Sequence, residues 1–203
     1  MKIICIGKNY KSHINEMGSK MQQEPLFFFK PDTAILQRNR PFFIPEFANQ
    51  FDYEIELVYK ISKVGKNINE KFANTYYSEI GLGVDFTARD LQQQCIKNGN
   101  PWEICKSFDN SAAISKFIPL ENIINKENIN FKLYKNNQIV QEGNSKDMVF
   151  SIDKIISYIS QFITLKLGDI IFTGTPSGIG KISINDRLEG WIEEKKMFEF
   201  DIK

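Results

Sequence analysis

Eight short runs rich in β-branched and aromatic residues, each bounded by turn residues, narrow the folds open to this chain. They are Ile3–Ile6, Leu26–Phe29, Asp52–Ile61, Gly81–Phe86, Phe131–Tyr134, Ile139–Glu142, Asp169–Phe172 and Met197–Ile202. Between two of them stands Asn136-Asn137, a pair that tolerates positive φ and predicts a hairpin turn. Helical periodicity is sparser. Tyr10–Met17 and Glu70–Tyr77 each have room for about two turns, and Thr87–Lys97 reads as a helix. Ile152–Phe162 puts Ile152, Ile155, Ile156 and Ile159 on one face, with Ser151 as its N-cap. These helices do not alternate regularly with the strands, which argues against doubly wound and α/β-barrel patterns. An α+β, mainly β domain is the expected class.

Length and charge remove several functions. At 203 residues the chain suits a single domain, 1–203, and neither linker nor repeat divides it. Glu121–Asn130, rich in Asn, Ile and Lys, reads as a solvated connection. Lys and Arg number 26 against 25 Asp and Glu, so the basic excess expected of a nucleic-acid binder is missing. No charged tail suggests a membrane surface, and no apolar run nears the ~20 residues of a spanning helix. The apolar start Ile3–Ile6 ends at Gly7-Lys8, too short for a secretory core. Cys5, Cys95 and Cys105 are odd in number and lack a Cys-x-x-Cys spacing. They read as reduced, buried thiols of a cytoplasmic protein.

Chemistry concentrates in Phe51-Asp52-Tyr53-Glu54-Ile55-Glu56-Leu57-Val58. On a strand, Asp52, Glu54 and Glu56 share one face, ~7 Å apart, and repel. Such a face is either the exposed side of an edge strand or a buried one that needs a cation. A second acidic position, Asp85, closes the apolar run Gly81–Val84 just before a helix. Carboxylates from two strands without Cys or His companions make an oxygen-only site, suited to Mg²⁺ or Mn²⁺ rather than Zn²⁺. His13 is the one histidine, which rules out a zinc centre built on several imidazoles. Glu16 follows it by three residues, so a helix puts both on one face, as an exposed pair or as a base with its orienting carboxylate. The loop Thr173–Lys181 looks superficially like a phosphate loop. However, Gly174 lies seven residues from Lys181 and Ile182 follows where Ser or Thr is needed. What remains is a glycine turn, or a loop of N–H and hydroxyl donors able to hold a carboxylate.

Six blocks, in order along the chain, resemble the fumarylacetoacetate hydrolase family, above all its short acylpyruvase and oxaloacetate decarboxylase members. They are Gly7-Lys8-Asn9-Tyr10 with His13 and Glu16; Phe29-Lys30-Pro31; Asp52–Leu57; Asp85–Gln92; Lys106-Ser107-Phe108-Asp109; and Thr173–Gly180. The resemblance runs from Ile4 to about Ile202. It implies a β-sandwich-like roll, a homodimer, and one Mg²⁺ or Mn²⁺ on Glu54, Glu56 and Asp85, with Asp52 behind them. It implies too that Gln92 and Lys106 hold the oxo-acid end of a small 2-oxo acid, that Thr175 contacts its carboxylate, and that His13 with Glu16 is the base dyad on a lid helix.

The activity it implies first is hydrolysis of a C–C bond in acylpyruvates, leaving a pyruvate enolate stabilised by the cation and by Lys106. Decarboxylation or tautomerisation of 2-oxo diacids such as oxaloacetate is the alternative, and a catalytically silent metal-binding scaffold is a third reading. Lys8 departs from the pattern, since many members carry Arg there and Lys cannot make a planar bidentate contact. The chain has no counterpart to the extra N-terminal domain of larger members, so fumarylacetoacetate itself is not the expected substrate.

Overall fold

A computed structural model describes residues 1–36 and 40–203. The chain starts with β1 (Ile3–Gly7), α1 (Lys11–Glu16), β2 (Leu26–Lys30), β3 (Ile35–Leu36), β4 (Phe51–Tyr53) and β5 (Ile55–Ile61). It continues with α2 (Glu70–Ala73), β6 (Tyr77–Asp85), β7 (Thr87–Ala88), α3 (Arg89–Asn98), α4 (Glu103–Lys106), β8 (Ala112–Ile114) and β9 (Ile118–Pro119). The remainder is β10 (Asn130–Lys135), β11 (Gln138–Asn144), α5 (Ile152–Ile159), β12 (Ile170–Phe172), β13 (Gly180–Lys181), β14 (Arg187–Ile192) and β15 (Lys195–Asp201). Among the described residues these strands make three sheets. One runs β2-β1-β12-β5-β6-β8-β3 with β9 added beside β6; the second runs β11-β10-β14-β15; the third is β13-β4-β7. The α+β, mainly β expectation holds, and the helices are short.

Both faces of the large sheet are buried, one of them through Ile3, Cys5, Val58, Ile170 and Phe172, so its strands read as near-continuous apolar runs. Ile55, Leu57, Leu82 and Val84 pack against Phe131, Leu133, Leu188 and Phe198 of the second sheet. On another flank, Ile155, Ile156 and Ile159 of α5 pack on Ile4, Ile6, Ile61 and Ile171. Each of those three isoleucines is fully buried, which contributes about 1.5–3 kcal/mol apiece. Ser151 caps α5, its Oγ accepting from Lys154 N at 3.2 Å, as its sequence predicts. Asn136 and Asn137 take φ of 53° and 67° and turn β10 back into β11. No described helix is long and apolar enough to cross a membrane.

Three expectations need correction. The run Asp52–Ile61 is not one strand. It breaks at Glu54, so β4 joins the small sheet while β5 lies between β12 and β6 in the large one. Asp52, Glu54 and Glu56 are consequently not a single strand face, and none of them is exposed. The helix expected over Glu70–Tyr77 stops at Ala73, because Tyr77 already pairs with Ile61 as the first residue of β6. The helix expected from Thr87 starts at Arg89, since Thr87 and Ala88 pair with β4.

Candidate active site

The end of the β5–β6 ladder gathers the acidic residues. Ile55 is opposite Val84 and Glu56 opposite Gly83, while Asp85 N donates to Glu54 O at 2.8 Å. The register thereby sets Glu54, Glu56 and Asp85 side by side, with one carboxylate oxygen of each within 4.8 Å of the others. Gly83 must stay a glycine, since a Cβ would stand 2.6 Å from the Phe172 ring and 2.8 Å from Ala113 O. All three carboxylates are at most 5% exposed.

Three buried cations answer them. Lys106 Nζ lies 2.7 Å from Glu54 Oε2 and 2.9 Å from Asp85 Oδ2, and donates to Thr87 Oγ1 at 2.6 Å. Arg89 reaches Glu54 Oε1 at 2.5 Å through Nη2 and Asp52 Oδ2 at 2.8 Å through Nε. Its Nη1 donates to Gln92 Oε1 at 2.5 Å, which fixes which way the Gln92 amide faces. Lys30 Nζ stands 2.8 Å from Asp85 Oδ1 and donates to Ser111 Oγ and to Lys106 O. Asp52 therefore belongs to the support around Arg89 rather than to the convergent carboxylates.

Four buried carboxylates face three buried cations, and Glu56 is the one left over. Its Oε2 accepts from Gly174 N at 2.7 Å, and no described cation pairs with it. Burial, followed by the charges of Asp85 and Glu54, holds its carboxyl well above the ordinary range. For Glu54, burial pushes up too, but Lys106 and Arg89 outweigh it and hold that carboxyl far down. Burial works against the Lys106 ammonium, yet Asp85 and Glu54 overcome it and keep it charged. Asp85 Oδ1 accepts no hydrogen bond despite its nearness to Lys30. An oxygen-only set with one uncompensated charge fits Mg²⁺ or Mn²⁺. With all four carboxylates ionised around it, a divalent ion would leave the local charge at one positive, which suits an anionic ligand.

Opposite the carboxylates stands α1. His13 Nδ1 and Glu16 Oε2 are 3.1 Å apart, and Glu16 Oε1 accepts from Gly178 N at 3.0 Å. A carboxylate on Nδ1 stabilises the Nδ1–H tautomer and leaves Nε2 free to take a proton. The root of this helix is pinned by Asn9, whose side chain donates to Thr173 O and Phe150 O and accepts from Phe150 N. The facing loop turns on Gly174 and Gly178, both at φ 94°. A Cβ on Gly178 would stand 2.4 Å from Val140 O. After this loop comes β13, not the helix a phosphate loop requires.

One pocket joins the two poles. His13, Glu54, Glu56, Asp85, Arg89, Gln92, Lys106 and Thr175 line it as buried side chains, and the half-buried Lys8, Met17 and Trp102 and the exposed Ile96 line it too. With Lys106 bridging Glu54 and Asp85, its free volume is about 50 Å³, room for a few waters. Lys8 has φ 58°, rare for a side chain with Cβ, and no ion pair among the described residues.

Residues 2–202 match the family described as fumarylacetoacetate (FAA) hydrolase, C-terminal. The chain belongs to the fumarylacetoacetate hydrolase family. "Oxaloacetate tautomerase FAHD1, mitochondrial" of Mus musculus is 40% identical over 201 residues, spanning 99% of this chain and 91% of that protein. "Oxaloacetate tautomerase YcgM" of Escherichia coli is 38% identical over 188 residues, spanning 92% of this chain and 86% of the relative. The crystal structure of fumarylpyruvate hydrolase from Pseudomonas aeruginosa, in complex with Mn²⁺ and pyruvate, superposes with a TM-score of 0.94. It is 32% identical, and the match covers 100% of this chain and 89% of that one.

The family blocks thus meet around one pocket, with His13, Glu16, Glu54, Glu56, Asp85, Gln92, Lys106 and Thr175 brought together. Sequence reasoning did not single out Lys30, Arg89, Asn9 or Gln141, although the first three stand inside quoted blocks. A lone cation closing the apolar run Leu26–Phe29, and Arg89 three residues before Gln92, were the available signals for two of them. Gln141 carried none, because its partners lie 34 and 86 residues away.

Proposed function

We propose that this protein is a divalent-metal-dependent enzyme that enolises a short 2-oxo dicarboxylic acid, interconverting the keto and enol forms of oxaloacetate. The observation that carries the reading is the buried group Glu54, Glu56 and Asp85, short of one positive charge and facing the His13–Glu16 dyad across one pocket. The two oxaloacetate tautomerases at 38–40% identity support the reaction type. Mg²⁺ or Mn²⁺, when bound, supplies a Lewis acid that polarises the 2-oxo carbonyl.

The protein's own residues do the rest. Gln92, its amide turned by Arg89, and Thr175 seat the oxo-acid carboxylate. His13 Nε2 takes a proton from C3, and the electron pair moves onto the 2-oxo oxygen. The Lys106 ammonium stabilises the charge developing there. His13 then returns the proton to oxygen, giving the enol, or to C3, giving back the ketone. Glu16 holds the imidazole in register and stabilises its charged form. Lys8 offers a positive charge to the distal carboxylate of a diacid.

A second reading, acylpyruvate hydrolysis, draws support from the likeness to the Mn²⁺- and pyruvate-bound fumarylpyruvate hydrolase. There His13 would take a proton from the water attacking the distal carbonyl. Decarboxylation of oxaloacetate would lose CO₂ and leave a pyruvate enolate, the same product anion that acylpyruvate cleavage leaves. The deciding experiment offers enol-oxaloacetate, acetylpyruvate, fumarylpyruvate and ketonic oxaloacetate to the protein with Mg²⁺, Mn²⁺ or EDTA. Loss of enol absorbance and release of pyruvate are followed. Metal-dependent ketonisation outpacing pyruvate release supports the tautomerase; pyruvate from an acylpyruvate as the faster reaction favours hydrolysis; no metal-dependent turnover of any substrate sinks both.

Three further parts of the reading go with it. A single catalytic domain is supported by a pocket that draws on residues from Ile6 to Thr175. The free, buried cysteines suit a reducing compartment such as the cytoplasm. The homodimer implied by family likeness predicts a light-scattering mass of twice 23.6 kDa.

A further inference from the structure

One buried amide ties the two halves of the pocket together from outside it. Gln141 lies on β11, in the four-stranded sheet, and is 1% exposed. Its Oε1 accepts from Ile55 N at 2.9 Å, at the break where the chain leaves Glu54 and enters β5. Its Nε2 donates to Thr175 Oγ1 at 2.9 Å and to Pro176 O at 3.0 Å. The amide has no alternative orientation. Ile55 N–H can only donate and Pro176 O can only accept, so oxygen must face the first and nitrogen the second. Both Nε2 hydrogens are thereby used.

The consequence falls on Thr175. A hydroxyl has one hydrogen to donate and two lone pairs to accept with. With an N–H fixed on one lone pair, the Thr175 hydrogen must point away from Gln141. Thr175 is 3% exposed and lines the pocket beside Lys106 and Glu54. We infer that Gln141 is a positioning residue that presents the Thr175 hydroxyl as a hydrogen-bond donor to the substrate carboxylate. This rests on the proposed reading in which Thr175 seats that carboxylate. The same amide also anchors the Ile55 end of the carboxylate-bearing segment, so a purely architectural role is the alternative to be separated.

A double-mutant cycle separates them, with oxalate binding to the Mg²⁺-loaded protein measured by calorimetry, and Mg²⁺ affinity and melting temperature measured alongside. T175V should weaken oxalate about 10- to 100-fold, the worth of a hydrogen bond to a charged group. Q141M should weaken it about 5- to 10-fold, leave Mg²⁺ affinity unchanged, and add nothing further in the T175V background. If Q141M does not fold, Q141E, which keeps an acceptor for Ile55 N, replaces it in the cycle. Unchanged oxalate affinity in the Gln141 variant, when T175V has lost it, overturns the role of Gln141 alone. So does a loss that persists at full size in the T175V background, or that comes with an equal loss of Mg²⁺ affinity. Unchanged affinity in T175V overturns the carboxylate seat, and this inference with it.

Discussion

The two poles of the pocket are held by different means. The acidic pole is built from strand ends and locked by a network in which Lys30, Arg89 and Lys106 each touch several partners. The base pole is a helix of six residues with no side-chain cap, tied down by Asn9 at its root and by Glu16 to Gly178 at its tip. Deep burial holds the charges of the first pole against one another, so that drawing Lys106 off a carboxylate costs energy that a bound cation has to offset. The second needs only to hold one imidazole in the right tautomer, and a short helix packed on a glycine loop suffices. Binding strength should therefore track the first pole, and proton transfer the second.

The largest effects belong to the carboxylates. Both E54Q and E56Q should abolish Mg²⁺-dependent turnover, yet they should move the stability of the metal-free protein in opposite directions. E54Q strips a counter-charge from two buried cations and should cost about 3–5 kcal/mol. E56Q removes the one carboxylate without a cation partner and should raise the melting temperature in EDTA. A pH series sharpens the contrast. Because the Glu56 carboxyl is held above its ordinary range, the folded metal-free protein binds more protons than the unfolded chain between that range and the raised value. Stability in EDTA should then fall as pH rises through that window, and E56Q should flatten the fall. Glu54 is shifted the other way, so its contribution is complete above the ordinary range and adds no slope there. Melting curves in EDTA that are alike for wild type and E56Q at every pH would break the argument.

Next comes the dyad. H13A should lower kcat/KM for enolisation about 10²- to 10⁴-fold, the usual worth of a positioned general base, with oxalate affinity nearly unchanged. A comparable loss of oxalate affinity would mean that the helix serves binding and would erase the difference between the poles. Lys106 should show the converse. K106M is expected to weaken oxalate by about 1.5–3 kcal/mol, the range for hydrogen bonds to charged groups, and unchanged binding would place the ligand elsewhere. The smallest effect is E16A, a kcat loss well below that of H13A, because it orients the imidazole and does not touch substrate. A loss equal to H13A would make Glu16 a participant in proton transfer.

How much of this was legible follows the range of the interactions. Alternating and continuous apolar runs marked most of the strands, since that signal is local. β14 was missed because Gly190 sits in its middle, where a Cβ would lie 2.3 Å from the Phe198 ring; packing, not propensity, chose that residue. The break at Glu54 was illegible for the opposite reason. Phe51–Val58 alternates like an unbroken strand, and what interrupts it is a pairing partner change supported by Gln141 from another sheet. The convergence of Glu54, Glu56 and Asp85 was within reach, because two acidic strand ends with no His or Cys nearby already limit the chemistry. Their compensation by Lys30 and Arg89 was not, since which charges pair across 35 or 55 residues depends on the closed fold.

The central claim is that three carboxylates hold one divalent cation opposite an imidazole base. The most direct measurement is anomalous diffraction at the manganese edge from crystals grown with Mn²⁺ and oxalate. The account predicts one peak bound by Glu54, Glu56 and Asp85 at about 2.0–2.3 Å. Oxalate should lie on that ion, and Lys106 Nζ should have moved off at least one of the two carboxylates it bridges here. No peak among the three residues, or Lys106 still spanning Glu54 and Asp85 with the ion bound elsewhere, would contradict it.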